Sequence, residues 1–453
     1  MKRETETVKP QPLFMLFSRF ISRIFDPAAL NPGVRRREVL SWAGYDFANS
    51  GYTTVVLTAV FNGYFVSIVA DGAVWGAQVW LVTLAVSNAA VMIAMPMIGA
   101  YADLHARKQW LLRLSTIGCV LSTAALALAG RGDVAIAIIA IVISNFFFQT
   151  GVSLIGAFLP EIARPHALGK VSGWGWSFGY LGGLATLAVC LAYVTWSRGR
   201  GGVAEDFVPV TMLITAGVFA VAALPTLFIL RERAVPQGQG SLNALRDSLS
   251  RLASTLTHLR HYRDFARLLL CGAFYQSGVA VVIALASIYA LEVMKFTFEQ
   301  TLMLVLVVNI TAAIGAFAFG YVQDRLGHKR ALALTLMVWI AMTVTASMAT
   351  TSALFWLSAN LAGLAMGSSQ SAGRAMAGVF APASRLAEFY GLWTLSVQVA
   401  AIVGPLTFSA VLFLTDNNYR LGMMITGGFF VIGLLLIASI NIERGRAARE
   451  AAV

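Results

Sequence analysis

Residues 99–108 read GAYADLHARK and residues 320–330 read GYVQDRLGHKR, so one pattern occurs twice in this chain. In both copies a glycine precedes an aspartate by four residues, and a pair of basic residues follows. Glycine allows two helices to approach closely, and the aspartate can bind a helix N-terminus or a base. We therefore predict an internal duplication in which both loops close the cytosolic side. The candidate gating residues are Gly99, Asp103, Arg107, Lys108, Gly320, Asp324, Arg325, Lys329 and Arg330.

The composition around these loops is that of a membrane protein. Hydrophobic residues make up 58% of the 453 residues, charged residues only 12%, and the mean hydropathy is +0.75. Apolar runs of about 20 residues are long enough to cross a bilayer. They predict an all-α polytopic membrane protein with about twelve transmembrane helices. The runs lie near residues 39–67, 77–101, 109–129, 134–158, 173–196, 208–230, 267–291, 300–322, 331–349, 353–376, 392–414 and 420–440.

The distribution of basic residues predicts the orientation. With the N-terminus inside, the inner segments hold 28 of the 33 Lys and Arg residues, in keeping with the positive-inside rule. We expect both termini in the cytoplasm and a location in the inner cell membrane. The net charge of +12 then reflects topology and attraction to anionic membrane lipids rather than a nucleic-acid surface. A monomer is the expected state.

The first apolar run contains a carboxylate well inside the membrane. Asp46 lies about 10 Å from the membrane edge at roughly 1.5 Å of rise per residue. An aspartate facing lipid there would cost about 2.5 to 3.5 kcal/mol, so its helix face should look into a bundle or a cavity. Asp46 is either a functional group or a structural carboxyl bound by neighbouring helices. Tyr45, Asp46, Asn49, Tyr52 and Thr53 share that face, and Phe47, Gly51, Val55 and Thr58 lie opposite.

The polar segments divide the chain. Residues 1–38 form a cytosolic segment whose residues 13–24 have one apolar face, which predicts a helix on the inner membrane surface. Residues 231–266 form a cytosolic linker, and leucines three or four apart between residues 242 and 259 predict an amphipathic helix. Between these segments we expect two six-helix halves, 39–230 and 267–440, followed by a tail, 441–453.

The residues favour neither an enzyme nor a metal protein. His258, His261 and Asp264 are three residues apart, but this spacing is common on any helix, and no metal site is predicted. The spans contain no nucleophile and base constellation, so we expect no catalytic activity and no cofactor. Three glycines at four-residue spacing, Gly175, Gly179 and Gly183, lack a preceding strand and predict close helix packing rather than a phosphate loop.

The duplicated loop resembles the signature loop of the Major Facilitator Superfamily. Three further stretches look like its "unknown major facilitator" branch, which includes the vacuolar amino-acid effluxers of fungi. They are WAGYDFANS at 42–50, LPEIA at 159–163 leading to GKVSGWGW at 169–176, and QSAGR at 370–374 leading to AEFYG at 387–391. The branch has an acidic residue followed by glycine in the seventh helix, where this chain has Gln276, Ser277 and Gly278.

The resemblance implies a substrate cavity near the bilayer midplane, lined by the first, fourth, seventh and tenth helices. Arg374 is then either a positive-inside anchor or a planar fork for a carboxylate, from a substrate or from Asp46. The candidate substrate and coupling residues are Tyr45, Asp46, Asn49, Tyr52, Asn145, Gln149, Tyr275, Gln276, Asn360, Gln370 and Arg374.

These residues predict a secondary transporter that moves a small polar solute by alternating access. Amino acids or related metabolites are the solutes that the resemblance implies, and Asp46 is the expected site of proton coupling. One alternative is a drug exporter of the same fold, whose cavity should be dominated by aromatic and methionine side chains. The other is a membrane sensor or scaffold that transports nothing.

Overall fold

The computed structural model describes residues 25–237, 250, 252–254, 261–416 and 418–451. The predicted surface helix at residues 13–24 lies outside this range. The same is true of the predicted linker helix at residues 242–259, except for residues 250 and 252–254.

The described residues include twelve long helices, α1 to α12, the short helix Leu159–Ile162 between α4 and α5, and a short C-terminal helix, α13. This architecture confirms the all-α polytopic fold predicted from the apolar runs. Several helices extend a few residues beyond those runs. Helix α1 begins as Arg36–Tyr52 and continues irregularly to Val69; the others are α2 (Gly76–His105), α3 (Lys108–Ala125), α4 (Val134–Ala157), α5 (Leu168–Arg198), α6 (Ala204–Ile229), α7 (Arg263–Glu292), α8 (Phe298–Leu326), α9 (His328–Met348), α10 (Ser352–Phe380), α11 (Leu386–Leu414), α12 (Tyr419–Ala438) and α13 (Ile442–Glu450).

Helix α1 is not the regular span that the sequence predicted. After Tyr52 it widens into π-helical turns at Thr53–Ala59 and Phe65–Val69, separated by the short α-helical segment Phe61–Tyr64. The Val60 N–H donates to the Val55 carbonyl at 3.0 Å, five residues back. A run of β-branched residues begins at Thr53, and such residues fit a regular helix less well because their χ1 angles are restricted. The part of α1 after Tyr52 is therefore wound more loosely than a regular α-helix.

Eleven of these helices, within the described part of the chain, are long and apolar enough to cross a membrane. The exception is α10, which has 29 residues but carries serine, asparagine, glutamine and arginine side chains along its length. Its polar residues are mostly buried, so α10 is surrounded by other helices rather than by lipid. The most polar long helix is thus an inner one, as expected for a helix that lines a polar site.

The helices form two six-helix halves, α1–α6 and α7–α12. Within each half the first helix packs against the fifth, α1 against α5 and α7 against α11. Between the halves α2 packs against α11 and α5 packs against α8. These matched pairs agree with the predicted duplication. We call the end of the bundle at residues 103–108, 163–168, 324–329 and 381–388 the basic end.

Three glycines of α5 allow it to lie against α1. A Cβ atom at Gly179 would come within 2.9 Å of Ser50 Oγ, and one at Gly183 within 2.7 Å of Thr54 Oγ1. A Cβ atom at Gly175 would contact Asp46 and Arg374. The predicted close packing at this glycine repeat is confirmed, and it brings the backbone of α5 next to Asp46.

Candidate functional site

A cavity of about 260 Å³ lies between the two halves. Both halves contribute to its wall, through helices α1, α4 and α5 on one side and α10 and α11 on the other. The lining residues are Asp46, Asn49, Ser50, Thr53, Leu57, Phe148, Gln149, Val152, Ser153, Gly156, Trp176, Gln370, Arg374, Tyr390, Trp393, Thr394 and Val397.

A buried ion pair crosses this cavity. Arg374 Nη1 of α10 donates to Asp46 Oδ2 of α1 at 2.7 Å, so the base of one half binds the acid of the other. Asp46 is 8% exposed and Arg374 is 7% exposed. Charges this deeply buried are stabilised by each other, and removing one partner would leave the other charge uncompensated.

The remaining contacts of the Arg374 guanidinium are also made to the N-terminal half. Its Nε donates to Ser172 Oγ at 3.1 Å, and its Nη2 donates to the Ser172 carbonyl at 2.8 Å. The guanidinium carbon lies 4.7 Å from the ring centroid of Trp42 and 5.4 Å from that of Trp176. Both distances suit a cation–π contact. The Arg374 side chain thus extends from the C-terminal half into a pocket of the N-terminal half. Asp46, Ser172, Trp42 and Trp176 form this pocket, which we call the socket of Arg374.

The cavity also contains polar atoms without partners. Within the described residues neither amide atom of Asn49 forms a hydrogen bond, although Asn49 is only 6% exposed. The indole N–H of Trp176 likewise has no partner there. Buried polar groups are normally paired, so these groups are available to a ligand or to water that enters the cavity.

Two predicted glutamines bind each other in the C-terminal half. Gln276 Nε2 of α7 donates to Gln370 Oε1, and Gln370 Nε2 donates to Gln276 Oε1, each at 3.1 Å. Gln370 lines the cavity, whereas Gln276 lies behind it. Gln149 of α4 lines the cavity from the opposite half.

The structure does not bring five other predicted residues into the cavity lining. Their side chains are held within one half, because the polar face of a helix can meet a neighbouring helix as well as a cavity. The Tyr45 hydroxyl pairs with Thr116 at 3.1 Å, and the Tyr52 hydroxyl pairs with Ser144 at 2.8 Å. Asn145 donates to Ser87 and Asn88, and Asn360 donates to the Trp356 carbonyl. Tyr275 is fully buried between Gly373 and Gly433.

Sequence reasoning missed the contribution of helices α5 and α11. Ser172 and Trp176 of α5 contact Arg374 directly, and Tyr390 and Trp393 of α11 line the cavity. The first two residues lie in the GKVSGWGW stretch and Tyr390 in the AEFYG stretch. The signal was present in stretches already singled out, but only four other helices were expected to line the cavity.

At the basic end, each repeated aspartate binds the N-terminus of a helix in the opposite half. Asp103 accepts from the backbone N–H groups of Ala387 and Glu388 at 3.1 and 2.8 Å, at the start of α11. Asp324 accepts from the N–H groups of Gly169 and Lys170 at 2.9 and 3.0 Å, at the start of α5. These contacts tie the halves together at this end.

The other residues of the two loops are placed around these contacts. A Cβ atom at Gly99 would meet the backbone of Ala387, and one at Gly320 would come within 2.8 Å of the Gly169 carbonyl oxygen. The bases bind within their own half or are exposed. Arg107 donates to Tyr101 Oη, Lys108 pairs with Glu161, Lys329 donates to two backbone carbonyls, and Arg325 and Arg330 are exposed.

Solved structures with a similar fold include membrane transporters. The human organic anion transporter MFSD10 is 15% identical, with a TM-score of 0.65 over 89% of this chain and 99% of that chain. The proton:xylose symporter XylE is 15% identical, with a TM-score of 0.68 over 92% of this chain and 98% of that chain. A bacterial homologue of the iron transporter ferroportin, in an outward-facing state, also has a TM-score of 0.65 at 15% identity over 89% of this chain and 99% of its own. These likenesses show the major facilitator fold.

Sequence comparison narrows the family. The uncharacterized MFS-type transporter YxiO of Bacillus subtilis (strain 168) is 25% identical over 414 residues, which are 89% of this chain and 94% of that protein. The family model described as "Vacuole effluxer Atg22 like" matches residues 66–450. The chain is therefore a multi-pass membrane transporter of the Major Facilitator Superfamily and belongs to its Atg22-like family.

Proposed function

We propose that this transporter moves a small polar solute by alternating access and that Asp46 couples this movement to protons. The observation that supports the proposal is the buried ion pair between Asp46 and Arg374, which joins the two halves across the cavity at 2.7 Å. We further propose a monomer in the inner cell membrane with both termini in the cytoplasm, in keeping with the basic inner segments.

Opening the basic end requires Arg374 to leave its socket. The halves must separate there, and separation breaks the ion pair between the Asp46 carboxylate and the Arg374 guanidinium. A proton on Asp46 would remove the first charge, and an anionic group of the solute would neutralise the second. Both charges are then neutralised when the ion pair is broken as well as when it is formed. Proton binding and solute binding are therefore linked through this ion pair.

The dimensions and lining of the cavity favour a small solute. A volume of about 260 Å³ lies below the roughly 300–1,000 Å³ of pockets that hold drug-sized ligands. The described lining has four aromatic residues but no methionine, and Asn49 offers both a donor and an acceptor. A carboxylate suits the planar guanidinium of Arg374, and an amine suits Asn49 or Asp46. Amino acids and related metabolites are therefore our first candidate solutes, ahead of drugs.

Asp46→Asn in proteoliposomes tests the coupling. The amide has the size of the protonated acid and keeps its hydrogen bonds, but it cannot bind and release a proton. We expect counterflow exchange of labelled solute to persist while accumulation driven by a pH gradient is lost. Wild-type accumulation by Asp46→Asn would show that the transporter is not coupled through this residue. A scaffold or sensor would show no exchange in either form.

Arg374→Lys tests solute recognition separately. Lysine keeps the charge but cannot donate two parallel hydrogen bonds, so a solute carboxylate should bind more weakly. We expect the concentration for half-maximal counterflow to rise about tenfold, equivalent to roughly one lost charge-assisted hydrogen bond. Unchanged affinity and rate would contradict a recognition role and would mean that Arg374 only holds the two halves together. Arg330→Lys, at an exposed site in the same half, is the matched control.

A further inference from the structure

A second cavity lies outside the interface between the halves, where α1 begins and α6 ends. Its volume is about 190 Å³. Three arginines contribute to its wall, one before α1, one in the first turn of α1 and one just after α6. The lining residues are Gly33, Arg35, Arg37, Glu38, Phe228, Ile229 and Arg231.

Within the described residues, the positive charge of this cavity is not neutralised. Among the described residues, Glu38 is the only carboxylate that lines the cavity, and both of its oxygens accept hydrogen bonds. Oε2 accepts from Arg233 Nη2 at 2.8 Å, and Oε1 accepts from the Arg35 backbone N–H at 3.3 Å. Within the described residues the guanidinium groups of Arg35, Arg37 and Arg231 form no ion pair. Three exposed arginines therefore line one cavity, and within the described residues no unpaired carboxylate lines it with them.

An apolar stripe on α6 leads directly to the cavity. Val221 is 74% exposed, Leu224 is 54% exposed and Phe228 is 75% exposed. Their spacing of three and four residues places them on one face of the helix. In a membrane transporter such an exposed face contacts acyl chains, and Phe228 both ends the stripe and lines the cavity. The arginines thus lie at the level where lipid chains end and head groups begin.

We infer that this cavity binds the phosphate group of an anionic phospholipid, one of whose acyl chains lies along the α6 stripe. Guanidinium groups bind phosphate oxygens through paired hydrogen bonds, and basic cavities at membrane interfaces suit lipid head groups. A soluble phosphate would bind the arginines in the same way, but it has no acyl chain that could contact the apolar stripe. The continuity of cavity and stripe therefore favours a lipid.

The test compares lipid retention by the purified full-length protein. Protein reconstituted into nanodiscs of equal parts phosphatidylglycerol and phosphatidylcholine is released and examined by native mass spectrometry. We expect wild type to retain phosphatidylglycerol, and Arg37→Gln and Arg231→Gln each to retain it about tenfold less, the effect of roughly one lost hydrogen bond to a charged phosphate. Arg36→Gln is the matched control, because it removes the same charge next to Arg37 but does not line the cavity.

Each outcome bears on the inference. An equal loss in Arg36→Gln and Arg37→Gln would show general attraction to the surface and overturn the site. Equal retention of both lipids by wild type would overturn it as well. In a parallel arm, thermal unfolding in detergent is followed with phosphatidylglycerol, inorganic phosphate or glycerol phosphate. Stabilisation by the lipid alone supports the inference, and equal stabilisation by inorganic phosphate would assign the cavity to a soluble anion instead.

Discussion

The loop after α2 and the loop after α8 have the same sequence pattern, but only the contacts of their aspartates are the same. Asp103 and Asp324 both cap a helix of the opposite half, with distances from the backbone nitrogen to the carboxylate oxygen between 2.8 and 3.1 Å. The bases that follow differ. Lys108 is fully buried and paired with the Glu161 carboxylate, whereas Lys329 donates to the carbonyls of Ala438 and Ile440.

This difference separates two functions within one motif. The contact that crosses between the halves is the same in both copies, because both halves must meet at the basic end. The contacts of the bases stay inside one half and have diverged with it. In the N-terminal half, Glu232 also accepts from the backbone N–H groups of Lys108 and Gln109 at 2.8 and 3.0 Å. We therefore propose that the aspartates act in the conformational change and that the lysines stabilise each half.

The largest effect should come from Lys108→Met. The substitution leaves Glu161 buried without its cationic partner, which should lower the free energy of unfolding by about 3 to 5 kcal/mol. Lys329→Met is the matched control in the other loop and should cost under about 1.5 kcal/mol, the net value of an ordinary hydrogen bond. Thermal unfolding of the two purified variants measures the difference. Equal losses in the free energy of unfolding would mean that the two lysines contribute equally to stability.

A smaller effect is expected from adding a methyl group to the glycines of the loops. In Gly99→Ala the new Cβ would meet the backbone of Ala387 and Glu388, which cannot rotate away. Overpacking of this kind costs about 1 to 3 kcal/mol and should favour the conformation with a separated basic end. Gly320→Ala, with one closest contact at 2.8 Å, should shift the conformation less.

Cysteines introduced on the two faces of the transporter and labelled with a membrane-impermeant maleimide report the shift in these glycine variants. A larger shift in Gly320→Ala than in Gly99→Ala would reverse the ranking of the two interfaces.

The smallest effect is expected from the aspartates, and it should be similar in both copies. Asp103→Asn and Asp324→Asn keep one acceptor oxygen but lose the charge and the second hydrogen bond. Each should lose about 1 kcal/mol from the closed basic end, roughly a fivefold change in population. The same maleimide labelling measures it. Unaltered accessibility on both faces would exclude a gating role, and a change in only one variant would show that the repeats close unequally.

The fold was predictable because hydrophobic length and internal repetition are strong signals. Apolar runs gave all twelve long helices of the described residues, and the repeated aspartate gave the duplication. Helix ends were less accurate where polar turns extend a helix at the basic end, as in α5, which begins at Leu168 rather than near residue 173. The π-helical turns of α1 were not predicted, since no residue type marks them uniquely.

The site was predictable only in part. Asp46, Asn49, Gln149, Gln370 and Arg374 all line the cavity, because a polar group deep in a span must face a polar space. Tyr45 and Tyr52 lie on the same helix but meet α3 and α4, which helical periodicity alone cannot distinguish from a cavity. Ser172 lies in a stretch already singled out, but it was missed because the fifth helix was not expected to line the cavity.

The position of Arg374 between two indole rings gives the protein a built-in optical reporter. Trp42 is fixed by its N–H bond to the Ile155 carbonyl at 2.8 Å, while Trp176 lines the cavity with its N–H unpaired. When Arg374 leaves its socket, both rings lose the neighbouring cation, and Trp176 also gains water or solute. The intrinsic fluorescence of the unlabelled protein should therefore record solute binding in real time, with Trp176→Phe identifying the responding ring.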